Sequence, residues 1–320
     1  MNADEVRQHE KYDALIARCR GLAPIPTAVA HPCDESSLSG AIDAAEAGII
    51  LPFLVGPAAK IRAVAEKLKL NLGRYEIIDV LHSHAAAEKA VELVRLGKAE
   101  LLMKGSLHTD ELMAEVVRKD TGLRTERRIS HVFIMDVPTY PKALFITDAA
   151  VNIFPSLEDK VDILQNAIEL AQALGVEKPK VAILSAVETV TSKIPSTIDA
   201  AALCKMAERG QITGGILDGP LAFDNAISRE AAAIKHIKSE VCGDADILLV
   251  PDLEAGNMLA KELSFLANAD AAGIVLGARV PIILTSRADS VRARMASCAV
   301  AALYAHSRQA AAAGSAKLAG

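Results

Sequence analysis

Asp246-Ile247-Leu248-Leu249-Val250-Pro251-Asp252-Leu253-Glu254-Ala255-Gly256-Asn257 is the stretch from which the fold is read. It opens with a short run of apolar, partly branched residues bounded by acidic and turn-forming ones. A run that is apolar at every position, without alternation, suits a strand buried on both faces of a parallel sheet. Pro251 has no N–H to give to a ladder, so the strand ends there. Gly256 relaxes the backbone, and Asn257 is suited to cap an amphipathic helix over 258–266. The connection then lies at the carboxyl end of a strand, where open α/β sheets bind their ligands. An ordinary strand-to-helix loop with solvated acids fits the same residues, and this stretch alone does not separate the two.

Composition narrows the class. The chain has 320 residues, 51% of them hydrophobic but only 3% aromatic, with no Trp. A core of that size must be built from Ala, Val, Ile and Leu, which suits helices packed on parallel strands. The formal net charge is −5 without basic tracts, which argues against nucleic acid or an anionic membrane as partner. Asp4, Glu5, Arg7, Glu10 and Lys11 at the start leave no apolar signal core, and no apolar run reaches the roughly 18 residues of a membrane span. Cys19, Cys33, Cys204, Cys242 and Cys298 are scattered with no C-x-x-C pair, the thiol usage of a cytoplasmic protein.

Outward from the opening stretch, strands and helices alternate. Helix is expected over 5–20, from Ser36, Ser37 or Ser39 to Gly48, from Gly56-Pro57 to Leu70, and over 85–96. Strands fall at 27–30, 49–55, 76–80 and 101–103. Such alternation means βαβ units and a parallel sheet. The pattern changes near Arg127: 129–137 and 143–146 are β-rich and joined by Pro138-Thr139-Tyr140-Pro141. That link is too short for a crossover, so the two form an antiparallel pair. Helices then follow at 160–174, 200–209 and 227–237, with strands at 181–184 and 216–217. After the opening stretch come strand material at 274–276 and 280–284, a closing helix over 291–304, and an Ala/Gly-rich tail expected to fray from Gln309. Two lobes with a boundary at 125–130 are expected.

Several stretches carry candidate chemistry. Leu101-Leu102-Met103-Lys104-Gly105-Ser106-Leu107-His108-Thr109 is a buried strand running into Gly and small polar residues. Lys104, Gly105 and a helix start at His108-Thr109 form a candidate phosphate or acyl-phosphate site, with a capped helix and a solvated lysine as the alternative. Arg118, Lys119, Arg124, Arg127 and Arg128 are either a solvated face or a phosphate-binding group, in which Arg124 is the chosen member. Asp148 and Asn152 suit side-chain-to-backbone bonds that hold a loop, and Asp136 likewise reads as structural. Thr285-Ser286-Arg287-Ala288-Asp289-Ser290 follows a strand and precedes a helix, so it too sits at a strand's carboxyl end. Hydroxyl, guanidinium and carboxylate together can bind and polarise an acyl phosphate, while a helix cap by Ser286 or Asp289 is the plainer reading. G-x-G-x-x-G, G-x-x-x-x-G-K-[ST], H-E-x-x-H and G-x-S-x-G are absent from the sequence, and His82-x-His84 has no companion ligands.

These blocks, in consistent order from residue 27 to residue 304, resemble the phosphate acetyltransferase and phosphate butyryltransferase family. Pro251 to Asn257, the Gly and His-Thr of 105–109, Met135-Asp136-Val137-Pro138 and Asp148-Ala149-Ala150-Val151-Asn152 all have family counterparts, and Ser286-Arg287 matches the catalytic dyad. The Thr-Ser-Arg-Ala-Asp-Ser stretch is closer to the butyryltransferase branch. The resemblance implies a two-lobed α/β fold like that of isocitrate and isopropylmalate dehydrogenases, with parallel or mixed sheets and flanking helices. One lobe is expected at 1–128 with a returning segment 275–320, the second at 129–274, and the active site in the cleft between them.

It also implies interconversion of acyl-CoA and phosphate with acyl phosphate and coenzyme A. The thiolate attacks the acyl phosphate directly in a ternary complex, with no metal and no permanently bound cofactor. Ser286, Arg287 and Asp289 are the expected catalytic residues; Lys104, Gly105, His108, Thr109, Arg124 and Asn257 are the expected substrate-binding ones. One departure stands out. Acetyltransferase members carry a carboxylate seven residues after the serine, as base for the thiol, and here that position is Ala293. Either Asp289 is the base or the thiol ionises without one. Acyl-CoA, phosphate and acyl phosphate are the expected partners, with a homodimer or higher homo-oligomer. Two other readings stay open: a non-catalytic acyl-CoA or acyl-phosphate binding module, and a nicotinamide-dependent oxidoreductase of the related fold.

Overall fold

The computed structural model describes the main chain of residues 10–285 and 289–318, with side chains as far as 314. The chain divides into two compact units, Tyr12–Arg127 with Ala272–Gly320, and Met1–Lys11 with Arg128–Ala271.

In the first unit the strands are β1 (Ile25–Ala30), β2 (Ile50–Gly56), β3 (Glu76–Asp79), β4 (Leu101–Lys104), β10 (Asp270–Leu276) and β11 (Ile282–Ile283), in the order β3-β2-β1-β4-β11-β10. All neighbours are parallel except β10, which runs antiparallel to β11. Ala28, Val29, Leu101, Leu102 and Met103 are fully buried, as continuous apolar strands covered by helices must be. Each large side chain among them contributes roughly 1.5–3 kcal/mol relative to exposure.

The helices are α1 (Glu10–Arg18), α2 (Glu35–Glu46), α3 (Ala58–Leu68), α4 (Ser83–Arg95), α5 (Thr109–Val116) and α11 (Val291–Leu318). In α4, Ala86, Ala87, Ala90 and Val91 are buried, and the helix lies on β1 and β2. Small side chains let helix and sheet approach closely, which is how a core nearly free of aromatics closes. The cap of α2 is Asp34, whose carboxylate accepts the Ser37 N–H at 2.8 Å, and not Ser36, Ser37 or Ser39. The expected fraying from Gln309 is also corrected, since α11 continues to Leu318.

In the second unit β5 (Ser130–Asp136), β6 (Leu144–Thr147), β7 (Lys180–Leu184), β8 (Ile216–Leu221) and β9 (Ile247–Leu249) lie in the order β5-β6-β9-β7-β8. β5 and β6 are antiparallel; the rest are parallel. The helices are α6 (Leu157–Ala173), α7 (Pro195–Glu208), α8 (Phe223–Ile227), α9 (Arg229–Ile234) and α10 (Leu253–Leu266). A Ser156–Asp159 capping box starts α6. The helix expected at 227–237 is interrupted at Ser228, which is extended (φ −123°) and caps α9 through the Ala231 N–H.

The opening stretch is corrected too. β9 is as expected, but α10 begins at Leu253, capped by Asp252, whose carboxylate accepts the Ala255 N–H at 2.9 Å. Asn257 therefore lies inside the helix. Gly256 is required by packing, not by a turn: a Cβ there would lie 2.7 Å from Val250 Cγ2 and 2.9 Å from the Asp148 carbonyl oxygen.

Candidate active site

The first unit contains a topological switch. From β1 the chain builds outward through β2 and β3, then returns to place β4 on the other side of β1. Loops leaving two such strands diverge and open a crevice at their carboxyl ends, the usual ligand position in open α/β sheets. Ala30 pairs with Lys104, and Ile283 of β11 pairs with Met103. Carried forward one to two residues, this register sets His31, Gly105 and Thr285 side by side at the edge of three parallel strands.

The contacts at this edge are close. The Gly105 N–H donates to the Ala30 carbonyl at 2.9 Å and the Ser106 N–H to the His31 carbonyl at 2.8 Å. A Cβ on residue 105 would lie 2.3 Å from the Ala30 oxygen and 2.5 Å from the His31 oxygen, so only glycine fits. His31 takes the left-handed conformation with φ of 56°, uncommon outside glycine and a frequent feature of functional sites. Its Nδ1 is 2.9 Å from Ser106 Oγ, which donates to the His31 carbonyl at 2.8 Å and accepts the Cys33 N–H at 3.3 Å. Lys104 is 7% exposed, with Nζ 3.4 Å from the Gly105 carbonyl and 3.5 Å from that of Thr285. A buried ammonium thus lies beside the residue that leads into Ser286-Arg287.

Ser286 and Arg287 lie outside the described residues. Beyond them Asp289 is half-buried, and Ser290 accepts the Ala293 N–H at 3.0 Å at the start of α11. Ala293 faces the core at 3% exposure.

Other residues singled out from the sequence take different places. His108 is the N-cap position of α5 but makes no side-chain cap, and it and Thr109 are exposed. Arg124 forms a backbone bridge with Ala278; its exposed side chain has no partner among the described residues. Arg118 pairs with Glu115 at 3.0 Å. Arg128 donates to Asn152 Oδ1 at 2.7 Å and pairs with Asp159 at 3.3 Å. Asn257, in the second unit, donates to the Ala149 carbonyl at 3.2 Å and so ties α10 to the loop after β6. In that loop Asp148 accepts the Ala150, Val151 and Asn152 N–H groups at 2.9, 3.0 and 3.2 Å. An apolar pocket of about 630 Å³ in the same unit, lined by Leu184, Phe223, Val250, Leu259 and Leu263, contains none of the residues expected to bind substrate.

Sequence reading passed over His31. The available signal was its position, a titratable residue directly after the buried strand at 27–30, just as Lys104 follows 101–103.

The phosphate acetyl/butaryl transferase family model matches residues 83–302. A phosphate acetyltransferase of Rhizobium meliloti is 72% identical over 304 residues, covering 95% of this chain and 96% of that protein. The chain belongs to the phosphate acetyl/butaryl transferase family. A phosphate butyryltransferase of Clostridium acetobutylicum is 42% identical over 296 residues, covering 92% and 98%. Among solved structures, a branched-chain phosphotransacylase from Enterococcus faecalis V583 superposes with a TM-score of 0.77 at 30% identity, covering 88% of this chain and 99% of its own. No helix among the described residues is long and apolar enough to cross a membrane.

Proposed function

We propose that the protein interconverts acyl-CoA and inorganic phosphate with a short-chain acyl phosphate and coenzyme A, in a ternary complex without a covalent acyl-enzyme. The observation that carries this reading is the edge formed by Lys104, Gly105 and Thr285, where a buried ammonium lies beside the entry to Ser286-Arg287. Arg287, with Lys104 or Arg124, neutralises the phosphate and the oxyanion that develops at the carbonyl. Ser286 donates a hydrogen bond to the carbonyl or to the thiolate. Gly105, His108 and Thr109 bound the phosphate end, and Asn257 holds α10 in place. Positioning and electrostatics of this kind supply rate without a metal.

The cysteines support transfer without an acyl-enzyme. Burial pushes the thiols of Cys19 and Cys33 up to about 11, and those of Cys204 and Cys298 up to about 12; Cys242 is raised by burial as well. An enzyme nucleophile needs the opposite shift. The thiol of coenzyme A still has to lose a proton, and Ala293 cannot take it. Asp289 is one acceptor, and His31, directly after β1, is another. A homodimer or higher homo-oligomer is part of this reading, and the exposed Met258, Phe265 and Leu266 of α10 offer apolar surface for it.

The test is phosphate-dependent release of thiol from acetyl-, propionyl-, butyryl- and longer acyl-CoA. We expect release that requires phosphate, a loss of orders of magnitude in Arg287→Ala with the fold intact, and near-normal turnover in Cys33→Ser. An acyl group found on the protein by mass spectrometry would sink direct transfer. Coenzyme A binding without turnover would return the protein to the binding-module reading.

A further inference from the structure

The geometry points to His31 as the general base that removes the thiol proton of coenzyme A, through Nε2. The inference rests on the acyltransfer reading above, in which the base left vacant by Ala293 must be supplied elsewhere.

The first argument is the tautomer. Ser106 Oγ has one proton and lies 2.8 Å from the His31 carbonyl oxygen, which can only accept. That contact is attractive only with the proton in it. With the Ser106 proton in that contact, Nδ1, 2.9 Å from the same oxygen, is the donor. Hydrogen-bond logic therefore puts the imidazole proton on Nδ1 and leaves the Nε2 lone pair as acceptor. Nε2 has no hydrogen-bond partner among the described residues, and the side chain is half-exposed, so solvent and substrate reach it.

The second argument is placement. His31 follows the strand next to β4, whose end carries Lys104 and Gly105, and β11 leads into Ser286 on the other side of β4. At about 4.8 Å between neighbouring strands, His31 and Thr285 are roughly 10 Å apart backbone to backbone. That span admits an acyl phosphate and the end of a thiol. Holding a non-glycine residue at φ 56° costs free energy. The hydrogen bonds of Ser106 and of the Cys33 N–H to the His31 carbonyl offset that cost and fix the ring.

The charges around the ring agree with a base. Burial holds the imidazole below its ordinary value, Lys60 on α3 adds to the lowering, and Glu111 on α5 and Asp34 before α2 oppose it. Lys104 is the neighbouring charge on β4. At neutral pH the imidazole is free to accept. Once it has done so, Glu111 and Asp34 stabilise the imidazolium; Glu111 Oε2 has no hydrogen-bond partner among the described residues and lies 3.8 Å from His84 Nδ1. In the step itself the S–C bond forms and the C–O bond to phosphate breaks. The thiol proton passes to Nε2 and then to the departing phosphate. In the reverse direction the imidazolium returns it to the leaving thiolate.

His31→Asn separates the base from the scaffold. Asn tolerates the left-handed backbone, and its amide reaches the place of Nδ1 to keep the Ser106 contact, but it has no Nε2. In the direction that consumes acyl phosphate, kcat/KM is expected to fall about 10²-fold or more, and the acidic limb of the parent's pH profile to disappear, with coenzyme A binding unchanged by calorimetry. Ser106→Ala, which loosens the tautomer but keeps the imidazole, is expected to lower kcat/KM less and to retain the limb. A His31→Asn enzyme within a few-fold of the parent with the limb intact overturns the base and leaves Asp289. Weakened binding whose rate recovers at saturating coenzyme A also overturns it, by assigning His31 to binding. A parent that releases no thiol with phosphate overturns the acyltransfer reading itself, a different failure.

Discussion

Gly105 shows what a single residue carries at this edge. Its place in a Lys-Gly-Ser run is visible in the sequence, but the reason for it is not: two carbonyl oxygens of β1 occupy the space a Cβ would need. Backbone atoms cannot rotate aside, so Gly105→Ala must part the ends of β1 and β4. We expect a stability loss of about 1–3 kcal/mol, the usual cost of overpacking, and about a 10²-fold loss of turnover from displaced groups. Urea unfolding with a thiol-release assay reads both; an unchanged turnover would show that this edge is not the site. His31 was less legible than Gly105. Its role depends on Ser106, 75 residues away, and nothing within either segment announces the partner.

Elements were legible where periodicity or turn chemistry was strong. Alternating strand and helix, and the antiparallel β5–β6 pair, follow from run lengths and from a link too short for a crossover. Boundaries followed less well. Gly256-Asn257 has the composition of a helix start, yet Asp252 accepts the Ala255 N–H as the cap and the helix begins five residues earlier. Gly256 is there because α10 packs on the Asp148 carbonyl. The partner of Lys11 is likewise a tertiary matter. Within the second unit, Lys11 Nζ donates to Asp136 Oδ1 at 2.9 Å and to the Val137 carbonyl at 2.6 Å. Asp136 is fully buried, and its other oxygen has no partner among the described residues. Lys11→Met leaves that carboxylate uncompensated and is expected to cost about 3–5 kcal/mol, read as a lower urea midpoint. Lys11→Met with Asp136→Leu should recover much of it; equal destabilisation in both variants would mean the pair is not the cause.

At the scale of the whole molecule, stability should fall with acid in two windows. His131 is buried, its Nδ1 lacks a partner among the described residues, and burial lowers its pKa from 6.5 to about 4 against the opposing charge of Asp148. Between those values the unfolded chain binds a proton that the folded one refuses. Stability is therefore lost as pH drops from 6.5 towards 4, by about 3 kcal/mol. Asp244, held at about 2 by hydrogen bonds from Lys180 and Lys142, contributes stability that is lost only as pH falls from 3.8 towards 2. Asp43, raised by burial, works in the opposite sense. Urea midpoints of His131→Met across this range should lose the first decline and keep the second; a first decline of unchanged size would clear His131. The sequence by itself determined the α/β class and the strands that end in glycine, hydroxyl and charged residues, because those properties are written in local composition and spacing; the family was legible in the order of its matching motifs. The tertiary structure decided that β9 enters between β6 and β7, that β4 returns to the far side of β1, and that His31 therefore meets Ser106 beside Lys104. Strand pairing is made by backbone hydrogen bonds, which every residue but proline can donate, so side-chain pattern within one strand does not name its neighbour.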